Sequence, residues 1–483
     1  MSKFNTSLVV GLTFVATLGG LLFGWDTAVI SGAVSSIDAY FIDPLGLSET
    51  ARSSLSGWTI SSALIGCIIG AGVAGWISTA LGRKGGLVVA ALLFLLGSLG
   101  SAVPEFGLGV IGKMGPDALR PFIVYRILGG VGVGIASMLS PLYIAEISPS
   151  AIRGRLVSFN QLAIVLGILV VYFVNWYIAS LGNEAWLKAM GWRWMLASEA
   201  IPSGVFLILL LFVPDTPRWL VLRGRNDAAL AQLRRVTDEA DARAILADIQ
   251  RTLVVRSGKW LSFGAGVLVV GVLMSVFQQF VGINAVLYYA PLMFQNMGAS
   301  TDAALLQTVV VGAANVLFTI VAIVTVDHWG RKPLLIAGAV VMAAAMIVLG
   351  CLFNAQVVGL GALIAVVLYI GGFAFSWGPV TWVLLAEMFP NSIKGKGLGL
   401  AVAAQWLANW LVSTSFKVLD GNSTLNAAFH HGFAYWIYGA MSVLAALFVI
   451  RYVPETKGRS LEAIQELWGK TAGASSSAVS ASN

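Results

Sequence analysis

Two ionisable residues stand out because apolar sequence surrounds them. Asp26 is the only acid of the first long apolar segment, within LLFGWDTAV (21–29), and Arg126 lies near the start of the fourth, within YRILGGVGVG (125–134). Charged side chains in such segments are rare and usually pair with each other, so Arg126 is the natural partner of Asp26. A carboxylate of this kind can bind and release a proton when a conformational change alters its pairing. A permanent structural salt bridge is the alternative interpretation.

A second group of candidate residues consists of amides. The stretch FQQFVGINAVLYYAP (277–291) contains Gln278, Gln279 and Asn284, with Gly282 between them to permit a local break in the helix. Amides donate and accept hydrogen bonds and aromatic rings pack on apolar ring faces, so the group suits an uncharged ligand with many hydroxyls, such as a sugar. Similar residues occur in other apolar segments, namely Gln161, Asn315, Trp382, Gln405 and Trp406. Hydrogen bonding between helices is the alternative role for any one amide.

The composition indicates which elements must position these residues. Of the 483 residues, 58% are hydrophobic and 11% are charged, and the mean hydropathy is +0.87. A soluble globular protein has about 25% charged residues, so a membrane protein with many spans is predicted. We expect twelve apolar helices of spanning length along the chain. The net charge of +7 does not indicate nucleic-acid binding, because the basic residues lie in short loops between apolar segments.

The loops predict the orientation and the domain organisation. Lys and Arg are concentrated in the loops on the side of the two termini, so both termini are predicted to be cytoplasmic. We expect an N-terminal six-helix half (1–213), a cytoplasmic amphipathic helical linker (214–260), a C-terminal six-helix half (261–452) and a cytoplasmic tail (453–483). The end of the tail is rich in Ala and Ser and is predicted to be disordered.

Three motifs occur twice in the same order. LGRKGGL (81–87) corresponds to WGRKPLL (329–335), AEISPSAIRGR (145–155) to AEMFPNSIKGK (386–396), and VPDTPRW (213–219) to VPETKGR (453–459). The spacing between copies is about half the chain, so each half is one copy of a six-helix repeat. Two halves that begin on the same side of the membrane are parallel repeats, which is the layout of the major facilitator transporters.

These motifs together resemble those of the sugar porter family of the major facilitator superfamily. The resemblance implies an all-α membrane protein with twelve transmembrane helices in two six-helix halves, and a substrate site near the midplane. It implies sugar contacts at Gln161, Gln278, Gln279, Asn284, Trp382, Gln405 and Trp406. Phe23 and Tyr288 are further candidates, and Asn315 is a candidate because of its amide. It also implies a hinge at Gly378–Pro379, where the proline interrupts the helix, although a static kink is the alternative.

The resemblance further implies a cytoplasmic gate of ion pairs that link the halves in the outward-facing state. Its members would be Arg83, Glu146, Arg153, Glu199, Arg331, Glu387 and Lys394. The alternatives are solvated loops for the group and a solvated interfacial acid for Glu199. Thr79 stands where the first repeat should carry the counterpart of Asp327, and Lys394 stands where Arg is usual in the family. Both departures predict weaker ion pairing in the cytoplasmic gate, since Lys lacks the bidentate pairing of Arg.

The implied function is transport, not enzymatic catalysis. A proton-coupled member of the family would carry Asp at position 26 and a uniporting member Asn, so we expect a proton-coupled monosaccharide symporter that works by alternating access, with D-xylose favoured. The alternatives are D-glucose, a broader range of hexoses and pentoses, and uncoupled uniport. Because Ile168 stands where D-xylose symporters have Gln, the identity of the sugar is left open. The expected partners are the sugar, the proton and the lipid bilayer, without nucleic acid, cofactor or metal. We expect a monomer in the cytoplasmic (inner) membrane.

Overall fold

The computed structural model describes residues 4–149, 152–253, 265–357, 359–389 and 393–457. All regular secondary structure in these ranges is helical. A helix satisfies its own backbone hydrogen bonds, which is the requirement that a lipid environment places on a spanning segment. Within the described ranges, ten helical stretches are long and apolar enough to cross a membrane. The chain is therefore an all-α, multi-pass membrane protein.

The described residues form two compact units, and the first comprises 4–47 and 59–253. The start of its second helix, up to Trp58, groups with the other unit. The last three helices occupy the predicted linker and group with the first unit. The α-helices of six or more residues are α1 (Thr6–Val29), α2 (Glu49–Ala102), α3 (Leu119–Ile147), α4 (Arg153–Ser180), α5 (Trp192–Ala197), α6 (Ala200–Phe212), α7 (Pro217–Leu222), α8 (Asn226–Val236) and α9 (Glu239–Leu253).

The second unit comprises 48–58 and 265–457. Its helices are α10 (Gly266–Phe280), α11 (Ile283–Asn296), α12 (Thr301–Trp329), α13 (Arg331–Asn354), α14 (Leu360–Gly372), α15 (Gly378–Met388), α16 (Lys394–Asp420), α17 (Ser423–Phe429) and α18 (Phe433–Tyr452). A π-helical turn, Phe373–Trp377, joins α14 to α15 just before Gly378–Pro379. The departure from regular helix predicted at this point is therefore present.

The ten spanning stretches account for eleven predicted segments. The helix α2 is 54 residues long and breaks at Gly82, where φ is 83°, so it holds two segments. The remaining segment, the eleventh in chain order, is α16, which has 27 residues but contains three lysines and is not among the ten. Every predicted segment therefore has a helical counterpart in the described residues.

Small residues allow the helices of the first unit to approach closely. A Cβ atom at Gly24 of α1 would overlap the carbonyl oxygen of Ile164 on α4, and one at Gly130 of α3 would overlap that of Ala63 on α2. The helix α1 also packs on α3. Close crossings of this kind are typical of helix packing in membranes. The contact of α1 with α3 brings together the two helices that carry Asp26 and Arg126.

In the second unit, Gly282 separates α10 from α11. Its φ is 95°, a left-handed conformation that glycine adopts without steric cost, and a Cβ atom there would lie 2.5 Å from the ring of Tyr438. The local break expected within the amide-rich stretch is thus present. Aromatic rings fill the core beside it, with Tyr289 stacked on Phe416 at a centroid distance of 5.0 Å.

Candidate functional site

The charged pair predicted from the sequence forms within the first unit. Arg126 Nη1 on α3 lies 2.8 Å from Asp26 Oδ1 on α1, and Arg126 Nη2 also donates to the Asp26 carbonyl at 3.4 Å. Asp26 is 2% exposed and Arg126 is 3% exposed. At this degree of burial each charge has lost its interaction with water, and only the attraction within the pair offsets that loss.

Glu199 joins this pair, which differs from its predicted place in the cytoplasmic gate. The side chain is 1% exposed, lies within hydrogen-bonding reach of Asp26 and interacts electrostatically with Asp26 and Arg126. The neighbouring Ser198 accepts a hydrogen bond of 3.3 Å from Trp25 Nε1, so this part of the chain packs against the end of α1 that holds Asp26. Asp26 Oδ2 and Glu199 Oε1 are buried without a hydrogen-bond partner among the described residues. Two carboxyl groups can hydrogen-bond to each other only when one holds a proton.

Four of the predicted sugar-binding amides form one chain in the second unit. Gln405 Nε2 donates to Gln278 Oε1 at 2.5 Å, and Gln279 Nε2 donates to the same oxygen at 3.4 Å. Asn284 Nδ2 donates to Gln279 Oε1 at 2.6 Å. Gln405 Oε1 is buried and has no hydrogen-bond partner among the described residues, so its acceptor capacity is unused there.

The amide chain is also connected to the π-helical turn. Gln278 Nε2 donates to the backbone carbonyl of Trp377 at 2.9 Å, and the indole of Trp377 donates to the carbonyl of Leu335 at 2.9 Å. Gln278 therefore contacts the backbone at the point where α14 gives way to α15. A change in the orientation of this amide would directly alter a backbone hydrogen bond at the predicted hinge.

The other predicted sugar-binding residues lie on several helices. Asn315, Trp406 and Tyr288 are buried in the second unit, and Trp382 is partly buried there. Gln161 on α4 and Phe23 on α1 are partly exposed residues of the first unit. The structure thus joins Gln278, Gln279, Asn284 and Gln405 by side-chain hydrogen bonds. A role in sugar binding remains a prediction for all ten.

Two gate residues of the first unit, Arg83 and Glu146, form an ion pair at the end of α3. Arg83 donates to both oxygens of Glu146 at 2.8 Å, and Thr216 Oγ1 donates to Glu146 Oε2 at 2.6 Å. Asp215 accepts a hydrogen bond of 3.1 Å from the backbone N–H of Lys84. Burial nevertheless raises the pKa of Asp215, and the hydrogen bond from Lys84 only partly opposes this effect. The three repeated motifs of this half therefore meet in one cluster.

The second unit repeats the arrangement. Arg331 Nη2 lies 2.9 Å from Glu387 Oε1, and Thr456 also donates to Glu387. Glu455 accepts from the backbone N–H groups of Arg331 and Lys332 at 3.1 and 3.0 Å. Burial favours a higher pKa for Glu455, but its backbone hydrogen bonds outweigh this effect and lower the pKa. The internal repeat of the sequence is thus a repeat of contacts.

Two other predicted gate residues, Arg153 and Lys394, make no described contact with the gate glutamates. Arg153 is exposed and donates to the carbonyl of Ser148 at 3.4 Å, whereas the acid beside it, Glu146, is bound by Arg83. The side chain of Lys394 lies outside the described part of the structure, as does that of Asp327. The backbone carbonyl of Thr79, at the position of the first departure, accepts hydrogen bonds from Trp219 Nε1 and Arg223 on or beside α7.

Sequence reasoning missed partners that the tertiary structure supplies. Thr216 and Thr456 bind the gate glutamates, and their equivalent positions in the repeated motifs could have indicated this. Asn409 contacts Tyr288, and its place one helical turn after Gln405 is the signal that could have revealed it. For the contact between Glu199 and Asp26, the only signal was the presence of a second acid in an apolar segment.

The spanning helices, the repeated clusters and the amide chain define a major facilitator transporter, and comparison with known proteins agrees. The chain belongs to the family described as "Sugar (and other) transporter", whose model matches residues 12–468. Both the predicted family and the predicted fold are confirmed.

Several characterised relatives cover nearly the whole chain. It is 53% identical to the D-xylose-proton symporter of Escherichia coli over 479 residues, and the aligned region covers 97% of each of the two chains. It is 48% identical to the glucose facilitated diffusion protein of Zymomonas mobilis, covering 97% of this chain and 99% of the relative. The solved structure of the E. coli xylose transporter XylE in a partially occluded inward-open conformation matches with a TM-score of 0.86 at 51% identity, covering 94% of this chain and 100% of that chain.

Proposed function

We propose that the protein is a proton-coupled monosaccharide symporter, with D-xylose as the favoured substrate. The observation that carries the proposal is the buried pair of Asp26 and Arg126, because a carboxylate in an apolar interior is retained for a function or a fixed partner. Similarity to a D-xylose-proton symporter along the whole chain supports the choice of sugar and of coupling ion. We further propose a monomer in the cytoplasmic membrane with both termini inside.

The proposed mechanism uses Asp26 as the proton carrier. Asp26 binds a proton from outside, which weakens its attraction to Arg126 and allows the transporter to change conformation. Glu199 offers the proton a second carboxyl group within reach of Asp26. After the change to the inward-facing state, Arg126 pairs again with Asp26 and favours release of the proton to the cytoplasm. The cytoplasmic side opens when the ion pairs of the remaining gate residues separate. The main members are Arg83, Glu146, Arg331 and Glu387.

The amide chain supplies the proposed sugar contacts. Each amide can donate and accept, so hydroxyls of a bound sugar can replace the bonds between Gln405, Gln278, Gln279 and Asn284 one for one. The exchange costs little because no buried polar atom is left unpaired. The contact of Gln278 with Trp377 would transmit the exchange to the backbone of the hinge.

Counterflow in proteoliposomes tests the proposal. Vesicles preloaded with unlabelled D-xylose should take up radiolabelled D-xylose, and an imposed proton gradient should drive uptake above the external concentration. Asp26→Asn should abolish the uphill uptake and keep the counterflow, because Asn occupies the same space but cannot titrate. Asp302→Asn, at an exposed position in the first turn of α12, is the matched control. Uphill uptake by Asp26→Asn would show that Asp26 does not carry the proton.

Glucose transport is the second candidate. It is favoured by the similarity to a glucose facilitated diffusion protein and by Ile168, which is buried and makes the α4 side more apolar than an amide would. A panel of unlabelled sugars in the counterflow assay separates the candidates. Stronger inhibition by D-glucose than by D-xylose would make the protein a hexose transporter, and equal uptake with and without a proton gradient would make it a uniporter.

A further inference from the structure

The connection between α2 and α3 exposes a run of apolar side chains, residues 106–111, here called the apolar loop. Its large side chains are between 48% and 76% exposed, namely Phe106, Leu108, Val110 and Ile111. The only charged residue in the stretch 103–112 is Glu105, which is itself buried. Contiguous apolar surface of this kind is typical of a site that contacts lipid or a partner. Neither sugar binding nor proton coupling accounts for it.

Glu105 closes the apolar loop at its base. The carboxylate accepts a hydrogen bond of 3.3 Å from the backbone N–H of Gly112, and the backbone carbonyl accepts from Leu108 and Gly109 at 2.9 and 3.1 Å. The chain turns back at Gly107 and Gly112, where φ is 76° and 80°, values that glycine adopts without steric cost. The residues before and after the apolar loop are therefore joined directly.

The base of the apolar loop is also fixed to the rest of the first unit. Arg193 on α5 donates to the two oxygens of Glu105 at 2.8 and 2.6 Å and to the carbonyl of Ala102 at 2.9 Å. Tyr40 donates to Glu105 at 2.7 Å, and its hydroxyl accepts from the N–H of Gly115 at 3.2 Å. Arg193 and Glu105 are 3% and 0% exposed. This buried network holds the apolar side chains on the outside of the unit.

The apolar loop continues the exposed apolar surface of two spanning helices. It begins four residues after the end of α2 and ends eight residues before the start of α3. The adjoining turns of these helices expose Leu96 and Leu99 on α2 and Val124 on α3. Apolar side chains on the outside of a spanning helix face lipid. The lipid-facing surface therefore extends from both helices onto the loop that joins them.

Charge and backbone limit how deep the apolar loop can lie. Lys113 and Arg120 follow it and are exposed, and such side chains place their charged ends at the level of the lipid headgroups. The irregular backbone of the loop also needs water for its unpaired N–H and C=O groups, and the hydrocarbon core offers none. The side chains therefore fit the boundary between headgroups and acyl chains, with the backbone nearer the water.

We propose that the apolar loop is a membrane-anchoring element, whose side chains enter the phospholipid layer beside α2 and α3 while the Glu105 network fixes its base. The expected depth is about 5–10 Å into the boundary between headgroups and acyl chains, as for an interfacial helix. The inference requires only a multi-pass membrane protein and is independent of the transported sugar. If the loop were a simple connection, its side chains would lie in water.

Site-directed spin labelling tests the proposal. Cys67 and Cys351 are replaced by Ala, and Leu108→Cys then carries a nitroxide label. The labelled protein is reconstituted into vesicles of phosphatidylcholine and phosphatidylglycerol. Dissolved oxygen concentrates in lipid and a nickel chelate stays in water, so the ratio of the two collision rates reports the surroundings of the label. This ratio should be several-fold higher at position 108 than at a control position in water.

Glu184→Cys is the matched control, because its side chain is 68% exposed and lies in the connection that follows α4. The helix α3 leads away from the apolar loop and α4 returns, so the two labels are on the same side of the membrane. A label at position 108 with the oxygen-to-nickel ratio of the control would overturn the proposal. A label there that neither reagent reaches would also overturn it, because protein, such as a second copy of the chain, would then cover the loop. Should Leu108→Cys fail to fold, Val110→Cys makes the same measurement.

Discussion

Arg126 donates a hydrogen bond of 2.8 Å to Oδ1 of Asp26, although the two residues lie 100 positions apart in the sequence. Both are almost completely buried, at the contact of α1 with α3. The desolvation of two charges is offset only while the pair is intact. Breaking the pair on one side is therefore expected to cost much more than replacing both residues.

We expect Arg126→Leu to lower the free energy of unfolding by about 3–5 kcal/mol, because it leaves Asp26 buried without its cation. The double variant Asp26→Leu/Arg126→Leu should recover most of this loss. Unfolding in detergent, followed by tryptophan fluorescence, measures both. Arg120→Leu, at an exposed position of the same helix, should change stability by only about 0.5 kcal/mol. A double variant as unstable as Arg126→Leu would contradict the prediction.

The two gate ion pairs are predicted to differ in strength. The side chain of Glu146 is 8% exposed and binds Arg83 through both oxygens, whereas that of Glu387 is 29% exposed and binds Arg331 at 2.9 Å. Buried charges lose more than solvated ones when a pair is broken. Glu146→Gln should therefore destabilise the protein by about 1–2 kcal/mol more than Glu387→Gln. Equal melting temperatures for the two variants would refute this difference.

Gly82 and Gly330 are predicted to tolerate no side chain. Their φ values are 83° and 92°, and a Cβ atom would lie 2.5 Å from Asp215 Oδ1 and 2.8 Å from Glu455 Oε2 respectively. Alanine at either position should cost more than about 1–3 kcal/mol, which is the strain of this positive-φ, extended backbone alone. Gly75→Ala is the control, since a Cβ atom there meets nothing within 4 Å and the residue is helical. Thermal unfolding that ranks Gly75→Ala with the other two would contradict the argument.

Glu105 should make stability depend on acid pH. Burial by itself raises the pKa of Glu105, but hydrogen bonds from Arg193 and Tyr40 outweigh it and lower the pKa from 4.5 to about 2. A lowered carboxyl pKa stabilises the folded state above pH 4.5, and this contribution is lost as the pH falls from 4.5 toward 2. The melting temperatures of the wild type and Glu105→Gln should converge as the pH falls below 4.5. Glu184→Gln, at an exposed acid that pairs with Lys188, serves as the control.

The dependence of stability on pH that His431 causes should have the opposite sign to that of Glu105. Its Nδ1 lies 2.9 Å from Asp420 Oδ1, and this hydrogen bond raises the pKa of His431 above 6.5, although burial opposes the shift. A raised histidine pKa stabilises the folded state below pH 6.5, and the contribution is lost as the pH rises through the pKa of the folded protein. His431→Asn should therefore lower the melting temperature more under mildly acidic conditions than under alkaline ones. The exposed His328, replaced by Asn, serves as the control, and a pH-independent effect of His431→Asn would contradict the prediction.

The local features of the fold could be predicted from the sequence. The break at Gly282 and the irregular turn before Gly378–Pro379 follow from residues whose backbone preferences are intrinsic. The pairing of the gate charges could not. Glu146 lies seven residues before Arg153 in the motif, yet it binds Arg83, which is 63 positions away. A residue close in sequence has no geometric advantage over one that the fold brings to the end of α3.

The sequence by itself determined the class of the protein, the repeat and the chemistry of the site. Apolar length is a requirement of the bilayer, three motifs recur in order, and the residue types of Asp26, Arg126 and the amides limit what they can bind. Only the tertiary structure decided which groups meet: Glu199 with Asp26, Gln405 with Gln278, and Asn409 with Tyr288. The physical reason is that such contacts depend on how neighbouring helices are rotated and crossed. A nearly uniform apolar segment carries little information about either, so the close packing of small residues between helices has to supply it.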